Sequence, residues 1–476
     1  MNAYPYIAID RNRNVFRING QKLVRVDNAS LSSAERRVAA LRPMDYYRHS
    51  LVAMAAVQDG TIVSRWKMNA NTFHLASPFD YSDAVDRYIR GELVYPLKIS
   101  VNSTDKCNFA CQVCQNKHER LSGIPLDLDI NAYFQMLTAI LGKGFSVTHD
   151  LSCGGSGEAI VHKDFIKLLS LSHKMGITTF FTTNGSRKDQ PFIDAVAQNT
   201  TVAVFSFHGI FPEGFAALEK PPKAITFERI VDTLRRIIEK RNALGRRDDL
   251  TMGILALVHP MNRGYYKGFI ERMLDMGIDY INLNPILPNP YDYGLEITPE
   301  ITDQMRDELY DLKNHFASLP QQVRIPDEPF FGEKMKFFDP RPNRYYPDEC
   351  MVSLLQPYVG PMYGRPGRTK LTACRLYPNA TNDPAYYYTD QLGKQPFEEV
   401  WTKENIARIM REAAKCSECS NERQVLALDW MLHVRRTIPG AEYFIIFPIN
   451  PEAHNVIKYS ETTGKEEKTI PVKGDE

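Results

Sequence analysis

Three cysteines fall within eight residues, as Cys107-Asn108-Phe109-Ala110-Cys111-Gln112-Val113-Cys114. The C-x3-C-x2-C spacing lets one compact loop place three thiolates on neighbouring corners of an iron–sulfur cube, leaving the fourth iron without a protein ligand. An iron with open coordination sites can bind a substrate or cofactor directly, which a cluster closed by four cysteines cannot. Zinc is the competing chemistry. It takes four ligands, usually from paired CxxC or CxxC/HxxH elements, and this loop holds one such pair with His118 as a candidate fourth ligand. Three buried thiols without any metal are the remaining reading.

A second group lies near the C-terminus: Cys350, Cys374 and the Cys416-Ser417-Glu418-Cys419 pair. Four thiolates suit one [4Fe-4S] cluster or one zinc ion, and spacing alone does not choose. Cys153 stands apart and reads as a small buried apolar group. The other polar candidates sit at turns. Gly154-Gly155-Ser156-Gly157-Glu158-Ala159 combines a glycine-rich turn, where backbone approaches a ligand closely, with a carboxylate that accepts from an ammonium group. Thr182-Thr183-Asn184-Gly185 and Ser206-Phe207-His208-Gly209 are two further turns of this kind.

These residues need a scaffold, and the hydrophobic rhythm supplies one. Short apolar runs at 97–101, 146–152, 178–183, 202–207, 251–258 and 280–284 alternate with helical patterns around 130–142, 164–175, 189–198, 226–244 and 265–276. Ile230, Leu234, Ile237 and Ile238, for example, share one helix face. Six β-then-α units predict an α/β fold with a parallel sheet, open or curved into a partial (β/α)6 barrel, whose chemistry gathers at the C-terminal strand ends. The cysteine loop and the polar turns all fall there.

Residues 1–95 predict a small α+β unit. It has strands at 6–10, 16–18 and 21–26 turning at Asn19-Gly20, a capping box at Ser32-Ser33-Ala34-Glu35, and a hairpin 51–57/61–68 turning at Asp59-Gly60. The barrel spans 96–290. Residues 285–366 carry 13 of the 30 prolines, so 291–345 reads as a rigid connection and not another β/α repeat. Residues 346–458, with the apolar stretch 441–448, read as a C-terminal domain carrying the second cysteine group, an iron–sulfur domain by the resemblance given below, and 459–476 as a solvated tail.

At 476 residues with 43% hydrophobic and 24% charged composition, the chain is globular and multidomain. Lys+Arg 58 against Asp+Glu 57 gives a net charge of +1, which shows no bulk attraction to nucleic acid or anionic membrane. No run reaches the roughly 18 apolar residues of a membrane span, and the N-terminus lacks the pattern of a secretory signal. A cytoplasmic protein without structural disulfides is the expectation.

With these motifs in this order, residues 95–290 resemble the radical S-adenosylmethionine (radical SAM) superfamily. The resemblance implies that Cys107, Cys111 and Cys114 ligate a [4Fe-4S] cluster and that the amine and carboxylate of SAM chelate its open iron. It also implies that reduction cleaves SAM to a 5′-deoxyadenosyl radical, which abstracts a substrate hydrogen. Residues 156–159 resemble the family's Gly-Gly-Glu-Pro segment, placing Gly157 and Glu158 at the SAM amine, with Ala159 in place of proline. Asn184 matches the Thr-Asn-Gly turn. Ser206 matches a ribose or carboxylate contact, while His208, Val258 and Asn262 are weaker matches near the adenosyl group. Val113 departs from the aromatic residue usual beside the adenine. Residues 395–401 and 415–420 resemble the SPASM/Twitch extension, in which auxiliary clusters sit beside the substrate. No cysteine follows Cys419, so Cys350, Cys374, Cys416 and Cys419 are expected to hold one auxiliary [4Fe-4S] cluster, or zinc. The implied activity is modification of a peptide, or else of a small polar metabolite such as a sugar or aminoglycoside, with ferredoxin or flavodoxin as electron donor. A non-catalytic zinc scaffold is the rival from another class.

Overall fold

The computed structural model describes residues 6–40, 52–68, 77–114, 126–151, 157–286, 298–319, 322–326, 328–330, 344–362, 368–374, 383–416, 419 and 422–448. The expectations for His118, Cys153, residues 154–156 and the tail 459–476 lie outside these. The chain divides into two compact units, one of residues 1–94, 340–347 and 421–476, the other of 95–339 and 348–420.

The first unit is a closed antiparallel barrel of β1 (Tyr6–Ile9), β2 (Val15–Asn19), β3 (Lys22–Arg25), β4 (Val52–Gln58), β5 (Thr61–Met68) and β16 (Glu442–Pro448), in the order β1-β16-β4-β5-β3-β2. Asp59 and Gly60 both take positive φ, 51° and 72°, the backbone that a two-residue hairpin needs to match strand twist. Ser32 and Glu35 form the expected reciprocal capping box. Ala8, Ala55, Val57, Ile62, Phe444 and Ile446 fill the core.

Residues 422–448 belong to this barrel unit, whereas the sequence pattern grouped them with the C-terminal cysteines. β16 pairs with β1 on one side and β4 on the other. Its residues Tyr443–Phe447 are all buried, so the strand reads as a continuous apolar run in which nothing local names its partners.

The second unit holds a ten-stranded sheet in the order β12-β11-β10-β9-β8-β7-β6-β13-β14-β15. Its strands are β6 (Lys98–Val101), β7 (Thr148–Asp150), β8 (Thr178–Thr183), β9 (Val202–Phe207), β10 (Thr251–Val258), β11 (Tyr280–Pro285), β12 (Val323–Arg324), β13 (Tyr358–Pro361), β14 (Thr369–Thr372) and β15 (Tyr387–Thr389). From β6 to β12 neighbours are parallel, with helices in the crossovers. This is the expected partial barrel.

The proline-rich connection is a correction. It contains the helix Pro299–His315 and β12, which pairs parallel with β11, so the β/α rhythm continues one step further. Pro299 lies in the helix's first turn, behind a Thr298 cap, where a missing N–H is harmless. Met305, Leu309 and Leu312 bury its inner face.

On the side of the sheet away from the turns, Arg241 is 1% exposed. It pairs with Asp279 at 2.6 Å and donates to the carbonyls of Leu250 and Gly277. Asp279 also accepts the Met252 N–H at 2.7 Å. The end of one helix is thereby tied to the starts of β10 and β11. Removing one member of a buried pair strands the other charge, so Arg241→Ala should lower stability by about 3–5 kcal/mol. Chemical denaturation checks this, and a loss below about 1 kcal/mol would contradict the burial argument.

Candidate metal and cofactor site

The cysteine loop leaves β6 and is held at both ends and in the middle. Thr104 Oγ1 donates to Asp127 Oδ1, and Lys106 Nζ pairs with Asp127 Oδ2, each at 2.6 Å. Lys106 O accepts the Glu158 N–H at 2.7 Å. Asn108 reaches the next strand end: its Nδ2 donates to Ser186 Oγ at 2.8 Å and its Oδ1 accepts from Asn184 Nδ2 at 3.0 Å. Further along, the N–H groups of Ala110 and Gln112 donate to the carbonyls of Lys220 and Leu218, at 3.4 and 2.7 Å. Cys107, Cys111 and Cys114 are thiols, partly open to solvent, on this tethered loop. Val113 is buried.

Gly157 and Glu158 press against the loop's start. A Cβ on Gly157 would stand 1.7 Å from Thr104 O, so only glycine allows this approach. Glu158 is buried. Its Oε1 accepts from Thr183 Oγ1 at 2.7 Å and the Ile160 N–H at 3.4 Å, and its Oε2 accepts the Asn184 N–H at 2.8 Å. Burial pushes the carboxyl up to about 7, against the pull of these donors toward the ionised form. All three donors are neutral. Asn184 spends its side chain locally, on Asn108 and on the Ser186 N–H.

Ser206 is half-buried on β9, between Phe205 and Phe207, which are fully buried. Phe207 packs on Phe227 and Phe269 of the helix layer, so by strand alternation Ser206 faces the opposite side of the sheet, as does His208 beyond it. Burial holds the His208 imidazole down to about 4, hence neutral. Asn262 is fully buried and fastens this turn: Nδ2 donates to His208 O at 2.7 Å, and Oδ1 accepts the Ile210 N–H at 3.2 Å. Val258 is wholly buried. The geometry of Asn262 and Val258 is that of support and packing.

The C-terminal cysteines all lie in the second unit. Cys350 is buried and precedes the helix Met351–Leu355, which packs on the helix Lys403–Ala414; Cys416 follows the latter, and Cys374 follows β14. Tyr388 OH donates to Ser353 O at 2.9 Å, one turn from Cys350. Among the described residues no three His, Cys, Asp or Glu side chains converge as ligands of a single metal ion. An iron–sulfur cube gives each thiolate its own iron and does not ask for such convergence.

The residues fit an open four-iron cluster with an amine-bearing cofactor beside it. Three thiols share one anchored loop, and a buried carboxyl whose partners among the described residues are all neutral could balance an ammonium group. The glycine before that carboxyl leaves the backbone against the loop.

Residues 101–254 match the family model of the radical SAM superfamily. The chain carries a radical SAM domain. A curated relative, the tungsten-containing aldehyde ferredoxin oxidoreductase cofactor-modifying protein of Pyrococcus furiosus, is 22% identical over 211 residues, 42% of this chain and 56% of the relative. The chain thus spans about half the length of that relative. Among solved structures, Streptococcus suis SuiB bound to S-adenosylmethionine is 15% identical with a TM-score of 0.45, covering 71% of this chain and 74% of that one. The anSMEcpe structure with bound AdoMet is 13% identical with a TM-score of 0.46, covering 70% and 89%. No helix among the described residues is long and apolar enough to cross a membrane.

Sequence reasoning named Thr183 only as part of the Thr182–Gly185 turn, and missed Asn108 and Glu219 as parts of the site. Glu219 left a signal: with Phe215 and Leu218 it lies on the buried face of the short helix Pro212–Glu219, a carboxylate at an apolar position. Burial raises this carboxyl well above its ordinary value, and the nearby Glu158 pushes the same way.

The Glu158 shift has a measurable sign. Below about pH 4.5 folded and unfolded chains both hold the proton; between there and about 7 only the folded chain does, so stability falls as pH rises and then levels off. Glu219 contributes in the same sense. In the ligand-free protein, Glu158→Gln should show a shallower fall in melting temperature between about pH 5 and about pH 8. An unchanged slope would count against the buried carboxyl.

Proposed function

We propose that this chain is a radical SAM enzyme that cleaves S-adenosylmethionine reductively and takes a hydrogen atom from a polar substrate, a peptide foremost. The carrying observation is the junction of the cysteine loop with Glu158 at the C-terminal strand ends, where three thiols and a buried carboxyl that meets no cation among the described residues are stitched together. A reduced [4Fe-4S] cluster, when bound, supplies the electron for SAM cleavage. Cys107, Cys111 and Cys114 hold it. The Glu158 carboxylate accepts from the SAM ammonium, with Gly157 giving the backbone room to approach. Asn184 keeps Glu158 oriented through its N–H, and Ser206 offers a hydroxyl on the barrel's inner side.

Cys350, Cys374, Cys416 and Cys419 are assigned to one auxiliary [4Fe-4S] cluster, with zinc as the alternative. The peptide reading rests on the resemblance of residues 395–401 and 415–420 to the SPASM/Twitch extension. A small polar metabolite is the second reading, since Asn282, Asn284 and Ser206 give strand positions with amide and hydroxyl groups. A low-potential donor such as ferredoxin or flavodoxin provides the electron.

The test is 5′-deoxyadenosine formation by anaerobically reconstituted protein with a chemical reductant. Wild type should produce it, and Cys107→Ala should fall to background. Production by Cys107→Ala at the wild-type rate would overturn the assignment. Binding of a short peptide encoded beside this chain, in preference to sugar-like metabolites, supports the peptide reading; the reverse preference replaces it.

A further inference from the structure

Glu219 has no part in the reading above, yet it touches two sides of the site. It is 1% exposed at the end of the helix Pro212–Glu219. Its Oε1 accepts the His208 N–H at 2.8 Å, and the Gly209 N–H bonds to the same carboxyl. The carbonyls on either side of it, those of Leu218 and Lys220, accept from Gln112 and Ala110 of the cysteine loop. Three consecutive residues therefore bridge the loop that carries the thiols and the turn that follows Ser206.

The bridge has little freedom. A Cβ on Gly209 would meet the Gly214 backbone at 2.1 Å, so the turn lies directly on the helix. Asn262 grips the same turn from the other side, through His208 O and the Ile210 N–H. Lys220 adopts φ 44°, ψ 55°, a left-handed conformation unusual for a side chain of its size, and in it the Lys220 carbonyl accepts from Ala110.

We propose that Glu219 is a positioning residue of the SAM site: its carboxyl, with the carbonyls beside it, sets the separation between the cysteine loop and the end of β9. A molecule that must reach both an iron on the loop and a contact on β9 depends on that separation. The proposal rests on the SAM reading given above. What Glu219 supplies is acceptor oxygen in a fixed place, and a neutral amide can supply that too. Alanine and leucine cannot, and leucine additionally fills the space.

The experiment compares reconstituted wild type with Glu219→Gln, Glu219→Ala and Glu219→Leu. It measures iron content, SAM affinity by equilibrium dialysis, and the change that SAM causes in the electron paramagnetic resonance spectrum of the reduced cluster. Glu219→Gln should keep wild-type affinity and the wild-type spectral change. The Ala and Leu variants should hold wild-type iron, bind SAM about tenfold more weakly for the loss of two hydrogen bonds, and lose the spectral change. If Glu219→Ala does not retain iron, Glu219→Leu decides. Wild-type affinity and spectrum in Ala or Leu would overturn the proposal, as would a Gln variant as weak as Leu. Absence of any SAM effect in wild type would instead overturn the SAM reading, and the proposal with it.

Discussion

A buried carboxyl that faces only neutral donors among the described residues is the constraint around which the second unit is arranged. Glu158 loses most of its hydration, and three hydrogen bonds recover part of that loss without neutralising the charge. The balance leaves the group near the midpoint of its titration at neutral pH. A cationic partner would settle it as a carboxylate, with the ion pair outweighing the burial cost that otherwise holds the proton. The donors come from the end of β8 and from the turn that Glu158 itself begins, so the carboxyl also fixes neighbouring strand ends against each other.

The rest of the site follows from where those strands end. A parallel sheet delivers every C-terminal end to one edge, and the cysteine loop lies across it, bonded to Glu158 after β7, to Asn184 and Ser186 after β8, and to Leu218 and Lys220 beyond β9. Each tether is local, with ordinary hydrogen-bond lengths. Together they hold in place a loop rich in thiols.

Much of this was legible in the sequence, and the reasons differ by element. Strands of the barrel such as Val202–Phe207 and Thr251–Val258 announced themselves because a parallel strand covered on both faces is a near-continuous apolar run, whereas β7 is only Thr148-His149-Asp150. The hairpin at Asp59-Gly60 was legible because few residues tolerate two positive φ angles in succession. Spacing identified the cysteine loop. What remained hidden depends on distant partners. The pattern of β16 says strand but cannot say that β1 and β4 enclose it across hundreds of residues, and proline density masked the helix Pro299–His315, whose proline merely occupies its first turn. Glu219 and Asn108 act through contacts made by the fold, and single-sequence patterning registers a buried carboxylate only as an exception on an apolar face.

The central claim is that the cysteine loop holds an iron–sulfur cluster. Iron and acid-labile sulfide, counted after anaerobic purification and reconstitution, test it most directly. With both cysteine groups loaded, the account predicts about eight iron and about eight sulfide per chain, and about four of each if the C-terminal group takes zinc. Zinc without sulfide would contradict it.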